Sequence, residues 1–170
     1  MASCADDLGT VPIAINVRRA KDFPEAKPED LISPTGPVRT PLQWFIQSLK
    51  VMHSYLGYQA KAFVVSDGSE HDLKELLTIE NVFFVRPGCT ISDLLALSRA
   101  KVLIASGGSS FSAWGSFLGQ PPTISLPGQS LSWFGLQRKN GPYIGAFDPC
   151  EPSDTFLKQM KDALNPLRHL

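Results

Sequence analysis

Short apolar runs alternate along this chain with segments whose apolar residues recur every three or four positions, and the alternation repeats about five times. The first run, residues 11–17, reads as a buried strand whose carboxyl end meets Arg18 and Arg19. From Ala20 to Arg39 the chain is polar and proline-rich without helical period, a connection long enough to carry function. Thr40-Pro41-Leu42-Gln43 has the form of a helix start, with Thr40 as N-cap, Pro41 in the first turn and Gln43 closing a capping box. Leu42, Phe45, Ile46, Leu49, Met52 and Leu56 keep one face of that helix apolar, and Gly57 ends it.

Residues 60–65 read as a second strand, which breaks at Ser66-Asp67-Gly68 into the polar start of a helix through Leu73, Leu76 and Leu77. A third strand is expected over 81–85, a helix over 91–99 and a fourth strand over 101–105. The turn Ser106-Gly107-Gly108-Ser109-Ser110 then feeds a helix over 111–118, whose aromatic residues repeat at helical spacing before Gly119 and Pro121 end it. Residues 123–126 make a fifth strand, the pattern thins through 127–152, and Ser153 caps a last helix carrying Phe156, Leu157, Met160 and Leu164. Such alternation predicts one α/β domain over residues 1–170, built on a Rossmann-like parallel sheet of about five strands with helices on both faces. Its connections should be right-handed and its ligands gathered beyond the carboxyl ends of the strands. No repeat of fixed period is present.

Composition narrows the classes of function. The chain's 170 residues suffice for one core but are short for two lobes around a cleft. Sixteen Lys and Arg balance sixteen Asp and Glu, so a broad electrostatic grip on nucleic acid or an anionic membrane is disfavoured. Cys4, Cys89 and Cys150 lie too far apart for a metal or redox pair and read as free thiols. There is no signal-peptide run near Met1 and no stretch of about 18 apolar residues, so the chain as given reads as soluble. A buried strand so close to Met1 leads us to expect one lobe of something larger.

The chemistry-bearing residues fall at strand ends. Ser106 to Ser110 either cradle a phosphate, with free backbone N–H groups at a helix start, or form a tight turn with serine caps; the residues alone fit both. Arg18 and Arg19 either bind an anion or pair with the acidic loop around residues 25–30. Asp93, taken alone, complements the dipole of its helix. Gly-x-Gly-x-x-Gly, the P-loop and the Gly-x-Ser-x-Gly elbow are all absent from the sequence, which weakens dehydrogenase, nucleoside-triphosphatase and hydrolase readings. His53, His71 and His169 lack ligand spacing and read as bystanders, leaving a zinc site without support.

Taken in order, these segments resemble the donor-binding lobe of the fucosyltransferase superfamily, which includes the α-1,2, α-1,6 and protein O-fucosyltransferases. The stretch Asn16-Val17-Arg18-Arg19-Ala20-Lys21-Asp22-Phe23 is similar to the superfamily's first motif, His-x-Arg-Arg-x-Asp. Residues 93–100 and 103–114 resemble its later motifs, the Ser109-Ser110-Phe111-Ser112-Ala113-Trp114 run being the most specific. The resemblance spans about residues 13–127. Asn16 stands where the motif has histidine, Ala20 where it has glycine, and the acidic residue is displaced by one to Asp22.

The resemblance implies the C-terminal lobe of a GT-B glycosyltransferase, with GDP-fucose as donor and a glycan or protein hydroxyl as acceptor. Arg18 would be the catalytic arginine bridging the donor diphosphate, Ser109, Ser110 and Phe111 would surround the same diphosphate, and Asp93 would hold guanine. Asn16 would bond a ribose or phosphate oxygen, and Asp67 joins the donor-binding set. The acceptor lobe of the family precedes this one in the chain and is expected upstream. With an arginine and N–H groups available for the departing diphosphate, and no Asp-x-Asp, no metal or cofactor is expected. Two other readings remain: a non-catalytic nucleotide-binding or interaction domain, and an α/β domain whose turn binds nothing.

Overall fold

A computed structural model describes residues 11–19, 23–27, 36–85, 90–136 and 139–165. Six strands, β1 (Val11–Val17), β2 (Ala62–Ser66), β3 (Val82–Phe84), β4 (Ala100–Ala105), β5 (Thr123–Ser125) and β6 (Ile144–Ala146), form one sheet. Among the described residues five helices connect or flank them: α1 (Leu42–Leu56), α2 (Lys74–Leu77), α3 (Thr90–Ser98), α4 (Ser110–Gly119) and α5 (Asp154–Leu164). The strand order is β3-β2-β1-β4-β5-β6 and every neighbouring pair is parallel. The chain therefore winds outward from β1 to β3, returns across the sheet, and winds the other way from β4 to β6. That reversal opens a crevice between the carboxyl ends of β1 and β4.

The central strands are apolar along nearly their whole length because both faces are covered. On one face Ile13, Ile15 and Val17 of β1 meet Phe45, Leu49 and Met52 of α1 and Phe156 and Met160 of α5. Phe45, Phe147 and Phe156 are fully buried there, and each such side chain contributes roughly 1.5–3 kcal/mol by leaving water. Trp44 ties α1 to the end of β6, its indole N–H donating to the Phe147 carbonyl at 2.9 Å. On the other face Ala14, Val65 and Leu103 pack with Ala96 and Leu97 of α3 and with Leu131 at the start of the 3-10 turn Leu131–Phe134.

Helix ends follow the local chemistry in part. Gly57 closes α1 with φ +78°, and the Ser153 hydroxyl caps α5 by accepting the Phe156 N–H. Thr40 does not cap α1: Pro41 holds that position without a side-chain bond, while the Thr40 hydroxyl accepts from Gly107 N–H at 3.4 Å and Gln43 reaches Glu75 at 2.7 Å. The sheet also exceeds the expected five strands, since β6 adds an edge within the segment where the pattern thins. Along α4 the buried residues are Ser112, Ala113, Gly115 and Ser116, so the aromatic repeat of Trp114 and Phe117 faces outward. Cys150 is an exposed free thiol; Cys4, Cys89, His169 and residues 20–22 of the arginine motif lie outside the described residues.

Candidate functional site

A cavity of about 390 Å³ opens at the β1/β4 crevice, lined by Asn16, Arg18, Ser66, Asp67, Thr90, Asp93, Ser109 and Phe111 among others. Its floor is the end of β1. There the Ser106 hydroxyl donates to the Asn16 carbonyl at 2.9 Å and accepts the Arg18 N–H at 2.9 Å. From the β2 side, the Ser66 hydroxyl donates to the Val17 carbonyl at 2.6 Å and Asp67 Oδ1 accepts the Arg19 N–H at 2.6 Å. Serines at the strand ends thus bind polar backbone atoms just where the sheet ladder stops, which fixes the two arginines in position.

The two arginines diverge. Arg18 lines the crevice cavity, where its Nε lies 3.1 Å from Asp67 Oδ2 as an ion pair outside hydrogen-bond alignment, and its guanidinium carbon sits 5.5 Å from the centre of the Phe23 ring. Arg19 lines a separate cavity with Glu25, Arg39, Asp72 and Glu75. Burial lowers its pKa below the ordinary guanidinium value, partly offset by Glu25. In that second cavity Arg39 pairs with Glu25.

At the opposite wall, the Gly/Ser turn combines both structures expected of it. Ser109 is buried and caps α4, accepting the Ser112 N–H at 3.3 Å. Gly107 and Gly108 are dictated by packing: a Cβ on Gly107 would stand 2.1 Å from Gln129 Cβ, and Gly108 takes φ +68° with Pro37 against it. The N–H groups of Ser110 and Phe111, in the first turn of α4, take no partner among the described residues. They carry the positive end of the helix dipole. Phe111 lines the crevice cavity, whereas Ser110 lines a neighbouring apolar hollow with Trp114, Phe117 and Phe134.

Asp93 is in the first turn of α3, on the wall of the same cavity. Asn16, only 5% exposed, uses its side-chain oxygen to accept from the Ser112 hydroxyl at 2.7 Å and from the Ser109 hydroxyl at 3.5 Å. Six of the residues singled out in the sequence, Asn16, Arg18, Asp67, Asp93, Ser109 and Phe111, therefore surround one cavity, and Ser110 faces away from it. Sequence reasoning missed the supports: Ser112 beneath Asn16, Phe23 against Arg18, and the buried Gln129, which accepts the Val38 N–H and donates to the Gly36 carbonyl. Phe23 follows the arginine motif directly, a usable signal; Gln129 carries none, because its partners lie 91 and 93 positions away.

Among the described residues no group of three or more His, Cys, Asp or Glu side chains is placed to share a metal ion, and no helix is long and apolar enough to cross a membrane.

No family model matches the sequence, and no curated protein matches it. Similar solved structures include the apo form of POFUT1, a protein O-fucosyltransferase, at 15% identity and TM-score 0.46, covering 69% of this chain and 42% of that one. POFUT1 in complex with GDP is similar at 17% identity and TM-score 0.47, covering 70% of this chain and 42% of that one. The chain thus spans less than half the length of these structures.

Proposed function

We propose that this domain binds a nucleoside diphosphate sugar, GDP-fucose in the first instance, in the β1/β4 crevice and serves as the donor half of a GT-B glycosyltransferase. One observation carries the reading: the topological reversal of the sheet brings Arg18 and the open first turn of α4 to the same cavity, with the carboxylate of Asp93 on its wall. A guanidinium and a helix N-terminus together match a diphosphate. A carboxylate at the far side accepts the two adjacent donors of guanine, its ring N–H and exocyclic amine. The fucosyltransferase-like motifs, from Arg18 to the Ser109–Trp114 run, supply the choice of sugar.

In this reading negative charge grows on the departing diphosphate as the sugar passes to an acceptor hydroxyl, with inversion at the transferred carbon. Arg18 and the N–H of Phe111, at the start of α4, meet that charge with donors already in place. No metal is needed for the step. The acceptor, a glycan or protein hydroxyl, is held by a lobe outside these residues, so the domain alone binds donor but transfers little.

A second reading, a nucleotide-binding module without transfer, is favoured by Asn16. Its side-chain oxygen serves Ser112 and Ser109 instead of a substrate. Calorimetric titration with GDP, with and without EDTA, tests both readings. Saturable binding that EDTA leaves unchanged supports a metal-independent donor site, and absence of binding overturns both. Transfer of fucose from GDP-fucose to an acceptor hydroxyl separates an enzyme from a module.

A further inference from the structure

Asp67 poses a chemical difficulty in a site built for a diphosphate, because a carboxylate repels the ligand it would border. Its geometry points elsewhere. Val17 pairs with Ser66 in the β1/β2 register, so Arg18 and Asp67 leave the two parallel strands side by side. Both carboxylate oxygens turn to the arginine stretch: Oδ1 accepts the Arg19 N–H at 2.6 Å, and Oδ2 lies 3.1 Å from Arg18 Nε. Arg18 Nε is buried at that contact and outside hydrogen-bond alignment, so Asp67 holds it by charge. Gly68 closes the corner from below, where a Cβ would lie 2.9 Å from Arg19 Cβ and Cγ. The Phe23 ring lies against the guanidinium, 5.5 Å from its centre to Arg18 Cζ.

We infer that Asp67 is a positioning residue: it holds the Nε edge of Arg18 while Phe23 steadies the guanidinium, so that the Nη1/Nη2 end is presented to the diphosphate in a fixed orientation. Arginine otherwise spreads over many rotamers, and ordering it only upon binding lowers affinity. Because the grip is on Nε, the ligand and Asp67 do not compete for the same guanidinium edge. The planar fork of Nη1 and Nη2 can then meet two phosphate oxygens at once. The inference rests on the crevice being the diphosphate site.

Asp67→Asn separates the possibilities, since the amide oxygen can still accept the Arg19 N–H while the negative charge at Arg18 Nε is gone. Pyrophosphate, GDP and guanosine are titrated into the unmodified protein, Asp67→Asn, Arg18→Ala and the double variant, with thermal midpoints recorded for each. The expected result is a loss of roughly 3- to 10-fold in affinity for pyrophosphate and GDP, the size of immobilising one rotamer-rich side chain. Guanosine binding should be unchanged, and no further loss should appear when Asp67→Asn is added to Arg18→Ala. Tighter diphosphate binding by Asp67→Asn, an equal loss for guanosine, or an additive loss in the double variant would each overturn the inference.

A measurement without ligand keeps these outcomes distinct from failure of the crevice assignment. Nitrogen relaxation at Arg18 Nε, assigned with Arg18→Lys, should report an ordered side chain in the unmodified protein and a more mobile one in Asp67→Asn. Equal order in the two proteins removes the positioning role whether or not GDP binds. An ordered Arg18 together with no binding of any phosphate removes the diphosphate site, and with it the function we assign to the held arginine.

Discussion

Ser112 and Asn16 are joined by a 2.7 Å hydrogen bond between the first helical turns of α4 and the end of β1, across 96 positions of sequence. Both residues are buried, and Ser112 is fully so. The bond fixes the distance between the helix start and the strand end that together frame the crevice. Removing one partner leaves a buried polar atom underserved. Ser112→Ala should therefore destabilise the fold by about 1–3 kcal/mol, measured by urea denaturation. Asn16→Ala and the double variant complete a thermodynamic cycle. Purely additive losses would mean that the two side chains do not support each other.

The divergence of Arg18 and Arg19 gives a second expectation. Only Arg18 lines the crevice cavity, while Arg19 turns to the cavity with Glu25 and Asp72. Arg18→Ala should weaken GDP binding by roughly 1.5–3 kcal/mol, the range for a hydrogen bond to a charged group. Arg19→Ala should do less. The reverse order by calorimetry would show that the strand end presents the other side chain to the phosphates.

Acid sensitivity follows from His53. Burial lowers its pKa below 6.5, more than its hydrogen bond to the Ala60 carbonyl restores, and that bond at 3.1 Å requires the proton on Nε2 in the neutral ring. The unfolded chain thus takes up the imidazole proton at higher pH than the folded one. The neutral ring's contribution to stability is complete above pH 6.5 and is lost as pH falls through that value towards the folded pKa. Asp72, whose pKa is lowered by bonds from the Ser69 hydroxyl and N–H, acts in the same direction but only below 3.8. Denaturation midpoints compared at about pH 7.5 and 5.5 should fall for the unmodified protein and fall less for His53→Gln. A pH-independent midpoint across that interval would contradict the assignment.

The sheet was readable because buried parallel strands are apolar on both faces and stand out as runs, as in residues 11–17 and 101–105. β6 escaped notice because Ile144-Gly145-Ala146 is three residues long and belongs to an edge, where one neighbour suffices. Local rules worked where the partner was local, as in the Ser153 cap, and failed where it was distant. The Thr40 hydroxyl serves Gly107, 67 positions away, and a capping box could not foretell that. The same holds for the site. Strand ends and helix starts already carried Arg18, Asp67, Asp93 and Phe111, but only the fold shows Ser109 occupied as a cap and Ser110 facing the apolar hollow.

Asp93 decides between a domain that merely fits phosphates and one that reads the base of a GDP-sugar. In the first case its carboxylate only complements the dipole at the start of α3; in the second it accepts both guanine donors, which adenine and uracil lack as a pair. Competition binding of GDP, ADP and UDP to the unmodified protein and to Asp93→Ala is the most direct measurement. GDP should be preferred by about 1–3 kcal/mol, the worth of a bidentate base contact, and Asp93→Ala should lose most of that preference with its thermal midpoint little changed. Equal affinities for the three diphosphates in the unmodified protein, or a guanine preference that survives Asp93→Ala, would contradict it.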